Sequence, residues 1–260
     1  MISILLNGIG GQMGHVIYRC ALEAPDAFSV LAGSDAYANA ADFDCPVYAR
    51  IGDVFEKADV IIDFSAAAAL PEVVSYAVTH KTPLLVGTTG LTEDDHALLD
   101  RASETIPVFQ SGNLSLGINL LMKLARDAAI ALGSSFDTEI IETHHRRKLD
   151  SPSGTAEMLA NVLAHVRDGE TDFVYGRHVR DTRRSANEIG IHSVRGGTVV
   201  GEHEVLFLGP DETVTISHTA GSKRIFAAGA LRAAAFLVTQ APGRYNMQDV
   251  FDAQEQAHEG

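Results

Sequence analysis

Residues 144–148 read His-His-Arg-Arg-Lys, a run of side chains that are or can become cationic. Leu149-Asp150-Ser151-Pro152 then leads into Ser153-Gly154-Thr155-Ala156, a short turn that opens a helical run. Charge, proton donors and the unpaired N–H groups of a helix start thus crowd into one short stretch. The chemistry they suit is capture of a small anion beside a general acid. A basic island in a chain of formal net charge -14 needs such a reason. A solvated basic loop with one packed histidine fits the same letters. A metal centre would need His144 or His145 to meet His192, His203 or His218, and no ligand spacing supports that, so no metal is expected.

A second motif lies near the N-terminus. Gly8-Ile9-Gly10-Gly11-Gln12-Met13-Gly14 follows an apolar run and precedes a helical pattern, with Gly8, Gly11 and Gly14 spaced three apart. In a dinucleotide loop the first glycine permits a tight turn, the second lets backbone approach a pyrophosphate, and the third lets helix pack on strand. A glycine-rich turn without a ligand is the plainer reading. Asp35 favours the dinucleotide, because it ends the next strand about 20 residues on, where a carboxylate accepts from ribose hydroxyls. That carboxylate repels a 2′-phosphate, and Ala36, Tyr37 and Gln12 bring no positive charge to offset it. NADH is therefore expected to serve at least as well as NADPH.

Composition limits the rest. The chain has 260 residues, with 20 Lys and Arg against 34 Asp and Glu, which argues against nucleic acid or an anionic membrane as partner. Cys20 and Cys45 have no CxxC partner and read as reduced structural thiols. The run Met1 to Gly8 lacks a basic region and breaks early, and no apolar stretch is long enough to span a bilayer, so a cytoplasmic protein is expected.

The elements that must position these motifs alternate in the first half. Strands are predicted at Ile2–Asn7, Phe28–Gly33, Val60–Phe64, Pro83–Val86 and Pro107–Gln110, and helices at Met13–Glu23, Leu70–His80 and Thr92–Ser103, with Thr92 as cap. That order implies parallel βαβ units. From about residue 115 the pattern changes. A helix over Gly117–Leu132, a strand over Thr138–Thr143 delivering the basic cluster, and a helix over Pro152–Val166 precede a charged stretch, 168–187, that reads as loop. Strands at Ile189–Val194, Val199–Leu208 and Thr213–His218 suggest a mixed or antiparallel sheet, and Ile225–Val238 an alanine-rich helix. Two domains follow, divided at about residue 115.

Glu142-Thr143-His144-His145-Arg146-Arg147-Lys148-Leu149-Asp150-Ser151-Pro152-Ser153-Gly154-Thr155-Ala156 closely resembles the signature of the bacterial dihydrodipicolinate reductases of lysine and diaminopimelate biosynthesis. Asp63-Phe64-Ser65, Gly87-Thr88-Thr89-Gly90, Asn113 to Gly117, Arg195-Gly196-Gly197, Val200 to His203 and His218 to Ala230 match in order, so the resemblance covers nearly the whole chain. It implies an α/β protein: a Rossmann-like parallel-sheet cofactor domain and an α+β substrate domain whose mixed sheet builds a homotetramer. It implies NAD(P)H-dependent reduction of a cyclic dicarboxylate, 4-hydroxy-2,3,4,5-tetrahydrodipicolinate. By motif, His144 resembles the acid/base residue and Lys148 the proton donor, with His145, Gly154 and Thr155 as substrate contacts. Gly8, Ile9, Gly10, Gly11, Gln12, Met13, Asp35, Gly87, Thr88, Thr89, Ser111, Gly112, Asn113 and Leu114 resemble cofactor contacts. Gln12 and Ala36 replace basic residues found in other members, which bears on NADPH use and not on the reaction. Another small NAD(P)-dependent oxidoreductase of the same architecture, or a non-catalytic dinucleotide sensor, remains an alternative.

Overall fold

The computed structural model describes residues 1–167, 169–178 and 180–259. Among them the chain divides into two compact units, Met1–Leu116 with the segment from Lys223 onward, and Gly117–Ser222.

The first unit carries β1 (Ile2–Asn7), α1 (Gln12–Leu22), β2 (Phe28–Ser34), β3 (Val47–Tyr48), β4 (Val60–Asp63), α2 (Leu70–His80), β5 (Leu84–Val86), α3 (Glu93–Ser103) and β6 (Pro107–Gln110). A seven-stranded parallel sheet runs in the order β12-β6-β5-β4-β1-β2-β3, where β12 is Gly243–Tyr245. Residues 4–6 of β1, 60–62 of β4 and all of β5 are apolar because helices cover both faces. Ile4, Leu6 and Ile62 pack on the α1 side, and Leu5, Ile61, Leu84 and Val86 on the α2 and α3 side. The cap at Thr92 is as expected: its hydroxyl accepts from Asp95 N, while the Asp95 carboxylate accepts from the Thr92 N–H. The helix α6 (Arg224–Leu237) lies on the α1 face, with Ala227, Ala230, Ala233 and Ala234 fully buried. Alanine there lets the helix lie close to the sheet.

The second unit begins with the body of α4 (Leu116–Leu132) and continues through β7 (Asp137–His144), α5 (Gly154–His165), β8 (Asp172–Tyr175), β9 (Glu188–Arg195), β10 (Gly201–Leu208) and β11 (Thr213–Ala220). Its sheet has the order β11-β10-β7-β9-β8. Strands β7, β9 and β8 are parallel, while β10 and β11 run antiparallel, so the sheet is mixed. Ile140, Ile191, Val205 and Phe207 meet Ile118, Leu121, Leu159 and Leu163 of α4 and α5. Register sets Glu142 opposite both His203 and Ser193, and His144 opposite Arg195.

Four short or terminal elements depart from the sequence expectation: β3, β8, β12 and the helix α7 (Met247–Glu259). Strand β8 lies inside the stretch expected as loop, of which residues 168 and 179 fall outside the described residues. Four residues give too little periodicity to mark a strand. Pairing with β9, Phe173 against Ile189, is what orders this one.

Candidate active site and dinucleotide cradle

Strand alternation sends Glu142 and His144 of β7 to one face, and both are buried, at 0% and 8% exposed. Glu142 Oε2 lies 2.5 Å from His144 Nδ1. Arg195, at the end of β9, grips the same carboxylate with both terminal nitrogens, 2.6 Å to Oε1 and 2.7 Å to Oε2. The Ser153 N–H donates to Oε1 at 3.1 Å, which ties the start of α5 to β7. Ser153 also caps α5 by accepting from Ala156 N, and its Oγ lies 3.1 Å from His203 Nε2. Lys148 follows a turn in which its N–H donates to His145 O, and its Nζ pairs with Asp150 Oδ2 at 2.9 Å. The basic run is thus a strand end and turn fastened from below by one buried carboxylate.

The charges follow from this geometry. Burial alone would raise the Glu142 carboxyl, but hydrogen bonds from Arg195, Ser193 and His144 outweigh it and hold it at about 2. Burial lowers His144; Glu142 opposes this, while Lys148 and Arg195 add like-charge repulsion. Burial, and then the neighbouring His144, push His203 down to about 4. Glu142 is therefore ionised and His203 neutral at physiological pH. Neutral His144 keeps its proton on Nδ1, toward the carboxylate, and leaves Nε2 as an acceptor beside Gly201. The Ser153 hydroxyl, which accepts from Ala156 N, is the hydrogen-bond partner of His203 Nε2, while His203 Nδ1 is buried without one.

Gly201 of β10 makes room for the ring. A Cβ at Gly201 would stand 2.9 Å from His144 Nε2. Gly201→Ala should rotate the imidazole off Glu142 and lower turnover roughly tenfold to a hundredfold, with little change in melting temperature. Steady-state rates set beside a thermal melt check this. Gly154, the first residue of α5, has no atom within 4 Å of where its Cβ would be, so open space lies at that helix start. His145 donates its N–H to Val199 O, and its Nδ1 is buried without a partner.

In the first unit the loops after β1, β2, β5 and β6 leave the carboxyl edge of the parallel sheet, where open α/β sheets bind ligands. Gly8 has φ 78°, and a Cβ there would lie 2.6 Å from the Phe64 carbonyl oxygen. A Cβ at Gly14 would lie 2.2 Å from Gly8 O, so the glycines are required by close backbone approach. Asp35 is fixed by the N–H groups of Gly10 (3.2 Å) and Tyr37 (2.8 Å). Gly8, Gly11 and Asp35 line a cavity of about 460 Å³. These features fit a dinucleotide: an excluded Cβ beside a helix start, and a held carboxylate one strand away.

Other residues expected at the cofactor have side chains already engaged. Ile9 is fully buried and Leu114 nearly so. Thr88 donates to Asp63 Oδ2, Ser111 donates to Asn113 O, and Asn113 Oδ1 accepts from Ser115 N. Gln12 is exposed and its Oε1 accepts from Lys223 Nζ, which places a cation beside the glycine loop that local sequence does not reveal. Met13 packs against the core, and a Cβ at Gly87 would strike the Phe64 ring. Thr89 and Gly112 are exposed. Two functional groups escaped the sequence reading. Glu142 carries a signal, its two-residue spacing from His144 on a strand. Arg195 carries none, because only register brings β9 beside β7. Among the described residues no three His, Cys, Asp or Glu side chains are grouped to hold a metal, and no helix is long and apolar enough to cross a membrane.

Residues 2–114 match the family described as dihydrodipicolinate reductase, N-terminus, and residues 117–251 match its C-terminus. A 4-hydroxy-tetrahydrodipicolinate reductase of Caldanaerobacter subterraneus subsp. tengcongensis is 48% identical, covering 96% of this chain and 98% of the relative. One from Clostridium botulinum is 43% identical, with 96% and 98% covered. The dipicolinate-bound dihydrodipicolinate reductase of Paenisporosarcina sp. TG-14 shares the fold, with TM-score 0.77 at 24% identity over 95% of this chain and 97% of the other. With both halves matched in order and close relatives aligned nearly end to end, this chain belongs to the dihydrodipicolinate reductase family.

Proposed function

We infer that this protein is an oxidoreductase that reduces 4-hydroxy-tetrahydrodipicolinate to tetrahydrodipicolinate in diaminopimelate and lysine biosynthesis, using a nicotinamide dinucleotide. The observation that carries the reading is the buried Glu142–Arg195–His144 network set beside Lys148 and the start of α5. A nicotinamide dinucleotide held by the first unit would supply hydride to the substrate ring once that ring has lost water. Lys148 then gives a proton to the ring position left negative, and Asp150 holds the ammonium until substrate arrives. His144, its Nδ1 engaged by Glu142, offers Nε2 to the substrate and can accept or return a proton there. Gly154 and Thr155 hold one carboxylate at the helix start, and His145 contacts the other end of the dianion.

Residues 1–115 with 225–260 bind the dinucleotide, and 116–224 bind substrate and assemble the homotetramer in the cytoplasm. Gly8 to Met13, Gly87 to Thr89 and Ser111 to Leu114 serve the cofactor chiefly through backbone, and Asp35 through the ribose hydroxyls. The Asp35 carboxylate makes NADH at least as good a reductant as NADPH. Asp35→Ala should weaken NADH more than NADPH, by about tenfold for NADH. Equal weakening in a direct titration would remove Asp35 as ribose partner. The reaction itself is tested by loss of NADH absorbance when aspartate semialdehyde, pyruvate and the upstream synthase are mixed with this protein. Cofactor binding without consumption in that mixture would indicate a sensor and not an enzyme.

A further inference from the structure

We propose that Arg50 sets how well this enzyme accepts a dinucleotide bearing a 2′-phosphate, by leaving Glu72 for that phosphate. The proposal rests on the reading of Asp35 as the ribose partner. The residues directly after Asp35 are Ala36 and Tyr37, so the nearest stretch of chain offers the phosphate no cation. The fold brings one from further along. Strand β3 pairs with the end of β2, Gly33 with Val47 and Ser34 with Tyr48, and so returns the chain to the Asp35 corner. Arg50 follows β3 by two residues and lines the same cavity of about 460 Å³ as Asp35, Ala36 and Tyr37.

The present partner of Arg50 is weakly held. Its Nε and Nη2 donate to a single oxygen, Glu72 Oε1, at 3.2 and 3.0 Å. Glu72 stands in the first turn of α2 and lines that cavity as well. The two side chains are 69% and 42% exposed. An ion pair that open to water adds little to stability and is screened by salt, so withdrawing the arginine costs little. A phosphate offers a guanidinium two oxygens in a plane and more charge than the one carboxylate oxygen it now uses. Asp35 opposes that phosphate and Arg50 favours it. Glu72 holds the arginine back when the ligand is NADH and competes for it when the ligand is NADPH. Cofactor preference is then a balance among three side chains from three elements, of which the sequence motif contains only one.

Direct binding tests this without turnover. The free enzyme is titrated with NADH and with NADPH, following the fluorescence of the reduced nicotinamide, for wild type, Arg50→Ala, Arg50→Lys, Glu72→Gln and Asp35→Ala. Arg50→Ala should weaken NADPH about tenfold and NADH by less than about twofold. Arg50→Lys should recover only part of the loss, because lysine cannot offer the planar fork. Glu72→Gln should tighten NADPH roughly threefold and leave NADH unchanged. Unchanged NADPH affinity in Arg50→Ala, or equal weakening of both cofactors, overturns the proposal. Asp35→Ala separates the two levels. If it weakens NADH while Arg50→Ala has no selective effect, the role of Arg50 alone fails. If it leaves NADH unchanged, the ribose assignment beneath it fails. All four substitutions are at partly or fully exposed side chains, and a thermal melt confirms that each variant is folded.

Discussion

Lys148→Met should lower kcat by about a hundredfold or more, the scale expected when a general acid is lost. The ammonium is placed for the role. It is only one-fifth exposed, is held 2.9 Å from Asp150, and lies close enough to His144 to lower it electrostatically. Lys148→Arg makes the test sharper. Arginine keeps the charge that attracts a dianion but does not release a proton near neutral pH. If Lys148 transfers a proton, the arginine variant should keep a near-normal KM and still turn over about a hundredfold more slowly. If charge alone matters, arginine should restore the rate, and the proton-donor role fails. His144→Gln should also lose activity, but for a different reason. Neutral His144 has Nδ1–H committed to Glu142, so it accepts at Nε2 and does not donate. Unchanged turnover in both variants would take this cluster out of the chemistry.

The sequence exposed this part of the site because the signal is local. His144 and Lys148 sit on one strand end and turn, and Ser153 to Ala156 form the helix start that follows. The glycine loop was equally legible, since its spacing reflects close contacts within one βα unit. What stayed hidden depends on pairing between distant segments. Arg195 reaches Glu142 only because β9 lies parallel to β7, and Gly201 spares the His144 ring only because β10 lies on the other side. Lys223 beside Gln12 and Arg50 beside Asp35 arise in the same way, from chain returning to the sheet edge. The fold follows the same rule. Long helices and apolar central strands were readable from periodicity, whereas the short edge strands β3, β8 and β12 exist through pairing alone. Thr88 and Asn113 have side chains engaged within the fold, on Asp63 of β4 and on the Ser115 N–H, which leaves the cofactor role proposed for them to their backbone.

Glu142→Gln is expected to cost both stability and rate, with a stability gap from wild type that narrows as pH falls. The carboxylate is fully buried and faces donors only: Arg195 twice, the Ser153 N–H, the Ser193 side chain and His144 Nδ1. A glutamine must turn its NH₂ toward some of them, which sets donor against donor and leaves the guanidinium uncompensated. The expected loss near neutral pH is about 3 kcal/mol, as for a buried pair deprived of one member. The carboxyl has its folded value at about 2, below its ordinary 4.5. The unfolded chain therefore takes up this proton first as pH falls. The contribution of Glu142, about 3 kcal/mol, is complete above about pH 4.5 and drains away toward pH 2. Urea melts between about pH 6 and pH 3 should show the gap between wild type and Glu142→Gln closing over that window. His203, lowered from 6.5 to about 4, has the same sign at higher pH. Its neutral folded form is favoured above 6.5, and that stability is lost as pH falls toward 4, so both proteins should share a first decline there. His203→Gln should reduce the first decline, to which His144 and His218 also contribute because both are lowered in the fold, and leave the second. The rate should fall at least about a hundredfold in Glu142→Gln, because the amide no longer fixes which His144 nitrogen carries the proton. A gap that stays constant down to about pH 3 would mean that the Glu142 carboxyl has the same proton affinity folded and unfolded, and the network would then not favour the charge that orients His144.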